Sequence, residues 1–193
     1  MNTQGRISNV TRMYLERFHC ILEEMIQGMT TAELNCSISH NFIVQMIPHH
    51  RAAIEMSENI LKYTTDIPLQ NIAERIISEQ TKSITDMQRI LGTCEERINS
   101  PEDLEKYQCR MDEIMQIMFC DMESARSTNQ INANFMREII PHHRGAVEMS
   151  ELTLRNRICP QLRPVLQAII TSQKRGIVQM ETLLSRMGNC GCS

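Results

Sequence analysis

The stretch MIPHHRAAIEMSENIL, residues 46–61, decides the fold of this chain because it occurs twice. Its second copy, IIPHHRGAVEMSELTL at residues 139–154, follows at a constant offset of 93 residues. A shared amphipathic pattern would repeat the apolar positions, but it gives no reason for the string Pro-His-His-Arg to recur in register. The chain therefore contains an internal duplication. Each copy carries a pair of histidines, the commonest type of metal ligand in proteins.

The duplication extends beyond the histidine motif. The same offset relates Ile76 to Ile169, and it also relates Gln80 to Gln173. The two repeats cover about residues 8–92 and 101–185. Because a helical hairpin with one additional helix buries little apolar surface by itself, we expect a single domain over residues 1–193 with pseudo-two-fold symmetry.

Long segments with apolar residues at three- and four-residue spacing predict an all-α fold. Start and stop signals divide the chain into six helices. The residues expected at their starts are Thr11, Ser37 or Ser39, Asp66, Ser100 and Asn129, and Pro160 and Pro164 are expected to bracket the start of the sixth. Gly28 with Thr30 and Thr31 is expected to end the first helix, and Gly92 the third. Each repeat then has three helices, and the second and third form a hairpin. The expected architecture is a bundle of four long core helices with two additional helices.

Composition excludes several classes of protein. The net charge is −3 with acidic and basic residues interspersed, so nothing predicts binding to nucleic acid or to an anionic membrane. The apolar runs are too short for a membrane-spanning helix, and residues 1–20 lack the apolar core of a signal peptide. These features predict a cytoplasmic protein. Its eight cysteines are then expected to be reduced thiols, with no disulfide framework.

Two prolines lie beside the histidine pairs. Pro48 and Pro141 fall inside helical patterns, where each would interrupt a helix or, alternatively, stand in its first turn. If both helices are continuous, the two hairpins meet at their midpoints around the two-fold axis. The four histidines would then converge in the centre of the bundle, which is where helical bundles place metal ligands.

Methionine supplies the other candidate ligands. The chain has fifteen Met against four Phe, three Tyr and no Trp, and thioethers are ligands that soft ions such as Cu(I) select. Met46 lies one turn before the histidines, whereas Met56 lies roughly 10 Å along the helix from His49 and would serve another ion or only pack. Antiparallel folding brings Met87 and Met180 towards the histidines. The candidate metal ligands are His49, His50, His142, His143, Met46, Met56, Met87, Met149 and Met180.

These residues resemble the pattern of a bacterial family, domain of unknown function family 305. The matching residues are Phe42, Met46, His49, His50, Ala53, Met56, Gln80, Ile84 and Met87 in the first repeat, and Phe135, His142, His143, Ala146, Met149, Gln173, Ile177 and Met180 in the second. The resemblance implies a ferritin-like four-helix bundle and, as in some members, copper binding. The chain departs from the pattern where Asn41 and Asn134 replace an aspartate and where Ile139 replaces the methionine of the second copy. The two repeats are therefore not expected to bind metal equally.

The leading hypothesis is a binding protein without enzymatic activity that sequesters or hands over a soft metal ion. Copper is the favoured ion, and other transition metals stay open. One alternative is a structural or interaction bundle whose histidines only pack, and a less favoured one is a metal-dependent redox enzyme. The tail, residues 189–193, is expected to be flexible, and its Cys190 and Cys192 are either thiolate ligands or uninvolved thiols. Assembly into a homo-oligomer stays open.

Overall fold

The computed structural model of the protein describes residues 6–189, and within them the chain forms six α-helices and no strand. In chain order these are α1 (Asn9–Thr30), α2 (Ile38–Leu61), α3 (Ile67–Glu95), α4 (Pro101–Glu123), α5 (Ile131–Leu154) and α6 (Leu162–Asn189). The all-α fold predicted from helical periodicity is confirmed. The tail cysteines, Cys190 and Cys192, lie outside the described residues.

Four helices form the core of the bundle. α2 packs against α3 and α5 packs against α6, while contacts between α2 and α5 and between α3 and α6 join the two pairs. α1 lies on α2, and α4 lies on α5. Because residues 8–92 and 101–185 each supply the same two packing relations, the first helix on the second and the second on the third, we propose that they are repeats within one domain. Among residues 6–189, no helix is both long and apolar enough to cross a lipid bilayer.

Side-chain caps fix where four of the helices begin. Ser8, Ser37, Asp66 and Ser100 occupy N-cap positions, and the side-chain oxygen of each accepts a hydrogen bond from a backbone N–H in the first turn. Ser37 is therefore the cap of α2, and Asp66 and Ser100 cap α3 and α4 as predicted. The caps of α2, α3 and α4 could be recognised from sequence because the interaction is local, whereas α1 begins at Asn9, two residues before the predicted Thr11.

The start of α5 differs from the prediction. Gln130, and not Asn129, is its N-cap residue, and it makes no side-chain capping bond. Asn129 instead donates to the carbonyl oxygen of Arg6 at 3.1 Å and accepts from the backbone N–H of Ser8 at 2.7 Å. The prediction was wrong because the asparagine is used to hold the start of α1, a partner more than one hundred residues away in sequence.

The threonine pair ends α1 as predicted, since Thr30 is its last residue and Thr31 its C-cap. The prediction that Gly28 and Gly92 end helices is wrong. Both lie inside helices, and no described glycine has a positive φ angle. α1 and α2 pack closely at Gly28, because a Cβ atom at this position would lie 2.8 Å from Cβ of Pro48. No atom lies within 4 Å of the corresponding point at Gly92. Gly28 therefore permits close packing of α1 on the proline that precedes His49.

This contact predicts opposite effects for two alanine substitutions. Gly28→Ala is expected to lower the free energy of unfolding by about 1–3 kcal/mol, because the added methyl group overlaps a proline ring that has no alternative rotamer. Gly92→Ala is the matched control, because it gains the same helix propensity without a clash. This substitution is expected to raise the free energy of unfolding by about 0.5–1 kcal/mol. Urea denaturation followed by circular dichroism measures both changes. Equal effects of the two substitutions would contradict the proposed close contact.

The two mid-helix prolines do not break their helices. α2 is continuous through Pro48 and α5 is continuous through Pro141, which selects the mid-helix alternative over a first-turn position. Each proline lacks the N–H that would bond to the carbonyl group four residues earlier, in Val44 and Arg137. Tertiary packing compensates for this loss, because the histidines that follow both prolines are buried in the bundle.

Candidate metal centre

The two histidine pairs meet where α2 packs against α5. The imidazole rings of His49 and His142 stack with their centroids 3.6 Å apart. The ring of His50 lies 5.8 Å from that of His49, and the ring of His143 lies 5.8 Å from that of His142. All four side chains are at most 1 % exposed. The structure thus brings the four histidines together in the interior of the bundle.

Reciprocal hydrogen bonds orient the central pair. Nε2–H of His49 donates to the carbonyl oxygen of His142 at 3.2 Å, and Nε2–H of His142 donates to the carbonyl oxygen of His49 at 3.0 Å. A carbonyl oxygen can only accept, so each Nε2 atom must carry a proton. A neutral imidazole has one ring proton, which leaves the lone pair of each ring on Nδ1.

Burial keeps these imidazoles neutral. It lowers the pKa of His50 to about 3 and that of His142 to about 4, from a usual value of 6.5. Burial, followed by repulsion from the neighbouring imidazoles, lowers the pKa of both His49 and His143 well below 6.5. The four rings therefore remain neutral at neutral pH, so that each keeps one nitrogen lone pair able to act as a ligand.

The Nδ1 atoms of all four histidines are buried without a hydrogen-bond partner. A buried polar atom without a partner costs free energy, so four of them in one cluster require an explanation. Metal-bound histidines usually donate one ring N–H to a carbonyl oxygen or another acceptor and present the second nitrogen to the ion. His49 and His142 have this arrangement. The Nδ1 lone pairs of the cluster are therefore free donors that are not used within the protein.

The candidate thioethers are all buried, and they lie at different levels of the bundle. Met180 is beside His143, because a Cβ atom at Gly176 would lie 3.8 Å from the Met180 methyl group and 3.2 Å from Nε2 of His143. Met56 and Met149 follow the histidines on their own helices by roughly 10 Å. Within residues 6–189, no three His, Cys, Asp or Glu side chains are arranged to hold a metal ion. The buried candidates are Met46, Met56, Met87, Met149 and Met180.

The two outer histidines have different surroundings. Nε2 of His50 lies 3.1 Å from the hydroxyl oxygen of Ser83, within hydrogen-bonding distance. At the repeat offset of 93 residues, the counterpart of Ser83 is Gly176. His143 therefore has no hydroxyl group beside it, and the backbone of α6 packs on the His143 ring. Together with the change from Met46 to Ile139, this difference makes the halves of the cluster chemically unequal. A comparison of the repeats at constant offset would have indicated both positions.

A cavity of about 450 Å³ at the contact between α3 and α6 reaches His50. It is also lined by Gln80 and Gln173, which are 2 % and 3 % exposed and have buried amide atoms without hydrogen-bond partners. A smaller cleft lined by the same two glutamines reaches His143. His50 therefore lines a cavity between α3 and α6, whereas His143 is reached only by a narrow cleft of about 10 Å³.

Glu138 is a buried ionisable residue near the cluster that the sequence pattern did not indicate. It lies one turn before His142 on α5, is 3 % exposed, and accepts a hydrogen bond from the hydroxyl group of Tyr14 at 2.5 Å. Burial raises the pKa of its carboxyl group to about 7. Its counterpart in the first repeat is Gln45. The four-residue spacing from His142 places both on one helix face, but sequence does not show that Tyr14 covers it.

Comparisons with known proteins agree with this fold. Residues 39–184 match the family described as Domain of unknown function (DUF305). The chain is similar to CopM in the Cu(II)-bound form, with 25% identity and a TM-score of 0.60 over 77% of this chain and 97% of that chain. It is also similar to CopM in the Ag-bound form obtained by soaking, with 26% identity and a TM-score of 0.58 over 77% and 95%.

A further solved structure is similar in fold. It is a DUF305 fragment from Deinococcus radiodurans, with 24% identity and a TM-score of 0.56 over 77% of this chain and 96% of that chain. No curated protein matches the chain.

Proposed function

The chain belongs to the DUF305 family, and from this premise and the geometry of its histidine cluster we propose that it binds copper, for sequestration or handover without turnover. The observation that carries the proposal is the set of four buried Nδ1 atoms without hydrogen-bond partners. The CopM structures support it, because a protein of this fold is described there in Cu(II)-bound and Ag-bound forms. Imidazole and thioether donors are suited to copper, and thioethers favour Cu(I).

The proposed site combines imidazoles with thioethers. Because the histidines alone are not arranged around one point, methionine sulfur would complete the coordination of an ion at either end of the cluster. His50 has Met46 one turn before it, whereas Ile139 stands at the equivalent position in the second repeat. The proposed ligands are His49, His50, His142 and His143 with Met46, Met87 and Met180, and Met56 and Met149 are candidates for ions at a separate level of the bundle.

The surrounding residues would position these ligands and control access to them. The carbonyl groups of His49 and His142 hold the central rings in one tautomer, so their lone pairs are fixed before an ion arrives. The cavity lined by Gln80 and Gln173 would give an ion access to His50, with the two amide groups as polar contacts along it. Binding at the outer histidines, with the central rings behind them, is consistent with uptake and release of an ion.

Substitution of the outer histidines tests this function. We expect His50→Gln/His143→Gln to weaken Cu(I) and Ag(I) binding at least about tenfold, because each replacement removes a proposed ligand. His19→Gln/His40→Gln is the matched control, since it changes the only two histidines outside the cluster. Each chain is loaded anaerobically, unbound ion is removed by gel filtration, and metal is measured per chain. Circular dichroism verifies that every variant is folded.

Cysteine thiolates also bind soft metal ions, so they would add to the measured metal content. The exposed cysteines and the two tail cysteines are therefore replaced by serine in every chain tested: Cys20, Cys36, Cys109, Cys120, Cys190 and Cys192. No retained metal in the parent chain, or equal retention in the outer-histidine variant, would exclude the proposed site. Parallel loading with Zn(II) and Fe(II) measures ion preference, and oxygen consumption by the loaded chain would favour a redox enzyme.

A further inference from the structure

Two buried cysteines from opposite halves of the chain contact each other at one end of the bundle. Cys94 lies in the last turn of α3, and Cys159 lies in the connection between α5 and α6. The Cys94 thiol is close enough to Cys159 for the second thiol to raise its pKa, and the thiol of Cys159 donates to Oε1 of Gln161 at 3.0 Å. The two residues are 0 % and 2 % exposed. The two cysteines are far apart in the sequence, and only the fold brings them together.

The first turn of α2 anchors the backbone of both cysteines. The hydroxyl group of Ser37 donates to the carbonyl oxygen of Cys94 at 2.7 Å. The hydroxyl oxygen of Ser39 accepts from the backbone N–H of Cys159 at 2.9 Å. Because Ser37 and Ser39 are two residues apart, these bonds attach the backbones of both cysteines to the same turn of α2.

A buried asparagine strengthens the same junction. The side chain of Asn99 accepts from the backbone N–H of Ile38 at 3.0 Å and donates to the carbonyl oxygen of Arg157 at 2.8 Å. Its own backbone N–H donates to the carbonyl oxygen of Cys36 at 2.9 Å. The connection after α3, the start of α2 and the connection before α6 are thus tied together around the thiol pair.

We propose that Cys94 and Cys159 form a reversible disulfide bond that links the two halves of the chain under oxidising conditions. The oxidant is a low-molecular-weight disulfide. The thiolate of Cys159 attacks one of its sulfur atoms, so that a mixed disulfide forms and one small thiolate leaves. The thiolate of Cys94 then attacks the sulfur of Cys159 and releases the second small thiolate. Two protein thiols are oxidised, one small disulfide is reduced to two thiols, and the protein's two protons pass to them.

Burial determines how fast this reaction proceeds. Desolvation, followed by the neighbouring Cys159 thiol, raises the pKa of the Cys94 thiol, and a protonated thiol is a poor nucleophile. Both sulfurs are shielded from solvent, so local opening of the connection before α6 must precede attack. Cys159 lies in that connection and is the first to react. Once the mixed disulfide forms, the adjacent Cys94 resolves it.

A chain that retains only this pair gives the direct test. Cys20, Cys36, Cys109, Cys120, Cys190 and Cys192 are replaced by serine, and the folded chain is incubated with oxidised glutathione at mildly alkaline pH. The expected product has lost two hydrogens in mass, carries no glutathione, and yields a peptide that joins residues 94 and 159 after proteolysis. Its melting temperature is expected to rise by about 5–10 °C, and reduction should reverse the change.

Two controls make the outcome decisive. Addition of Cys159→Ser to the same chain leaves Cys94 alone and should abolish the product. A sample oxidised in urea verifies that the linked peptide is detectable. The same peptide is sought in the unmodified chain, so that the result does not depend on six substitutions. Retention of both thiols, arrest at the mixed disulfide, or linkage only in urea would overturn the proposal.

Discussion

Acidification from about pH 7.5 to pH 4.5 is expected to unfold the metal-free protein, because the buried histidines resist protonation while the chain is folded. The unfolded chain binds protons at these residues near pH 6.5. In the folded chain the pKa of His50 is about 3 and that of His142 is about 4, and the pKa values of His49 and His143 are also well below 6.5. Below pH 6.5 the unfolded state therefore binds more protons, and the free energy of unfolding falls with pH.

The size of this effect follows from the number of protons. Each histidine that is protonated only in the unfolded state lowers the free energy of unfolding by about 1.4 kcal/mol per pH unit, so the four together lower it by up to about 5 kcal/mol per unit. Domains of this kind are typically stable by about 5–15 kcal/mol. The loss begins as the pH falls through about 6.5, where the histidines of the unfolded chain titrate, and continues down to their folded-state pKa values, about 3 for His50 and about 4 for His142. The net free energy of unfolding is therefore expected to reach zero at about pH 4.5.

Glu138 acts in the opposite direction. Burial raises the pKa of its carboxyl group from 4.5 to about 7, so the folded state binds the additional proton between these values. As pH falls from 7 to 4.5, this group adds about 1.4 kcal/mol per unit to the free energy of unfolding and offsets one of the four histidines. Glu138→Gln, which copies the Gln45 of the first repeat, should remove the offset and make the acid destabilisation steeper.

Urea denaturation at a series of pH values measures these slopes. The slope of unfolding free energy against pH gives the difference in bound protons directly. We expect an average difference of about two protons between pH 6.5 and 5.5 for the native chain and about three for Glu138→Gln, because histidines in the unfolded chain are only half protonated at pH 6.5. A stability that does not change between pH 6.5 and 5 would contradict a buried, neutral histidine cluster.

Replacement of either central histidine by alanine is expected to lower the free energy of unfolding by about 3 kcal/mol in the metal-free protein. The loss combines one hydrogen bond, worth about 1 kcal/mol, with the cavity left by a buried ring. The carbonyl group at the substituted position remains, so in His49→Ala the Nε2–H of His142 still has its acceptor. The two substitutions should therefore be nearly additive, except for about 0.5–1.5 kcal/mol from the lost ring stacking.

A double-mutant cycle with His49→Ala, His142→Ala and the combined variant measures this coupling. His19→Ala is the control, because His19 is exposed on α1 and its substitution is expected to change stability by less than about 0.5 kcal/mol. Urea denaturation at neutral pH keeps the imidazoles neutral throughout. Losses below about 1 kcal/mol for the single variants would show that the reciprocal bonds and the stacked rings contribute little.

The sequence by itself determined the helical fold and the place of the histidines. Periodicity identified six helices, and the residues that cap α3 and α4, Asp66 and Ser100, were recognisable because a cap bonds to its own first turn. The in-register repeat of Pro-His-His-Arg predicted that His49 and His142 would meet, since related segments in two similar hairpins pack symmetrically. The stacked rings follow from that repeat.

Only the tertiary structure decided which groups these residues touch. Gly28 packs against Pro48, and Asn129 holds the segment before α1. Tyr14 covers Glu138. The carbonyl groups of the opposite helix set the Nε2 tautomer of the two central histidines. The physical reason is common to all of them. A period of 3.6 residues identifies the buried face of a helix, but the partner on that face is set by the rotation and spacing of helices that are remote in the chain. Burial and hydrogen bonding, which set the pKa values and the free lone pairs of the cluster, depend on that partner.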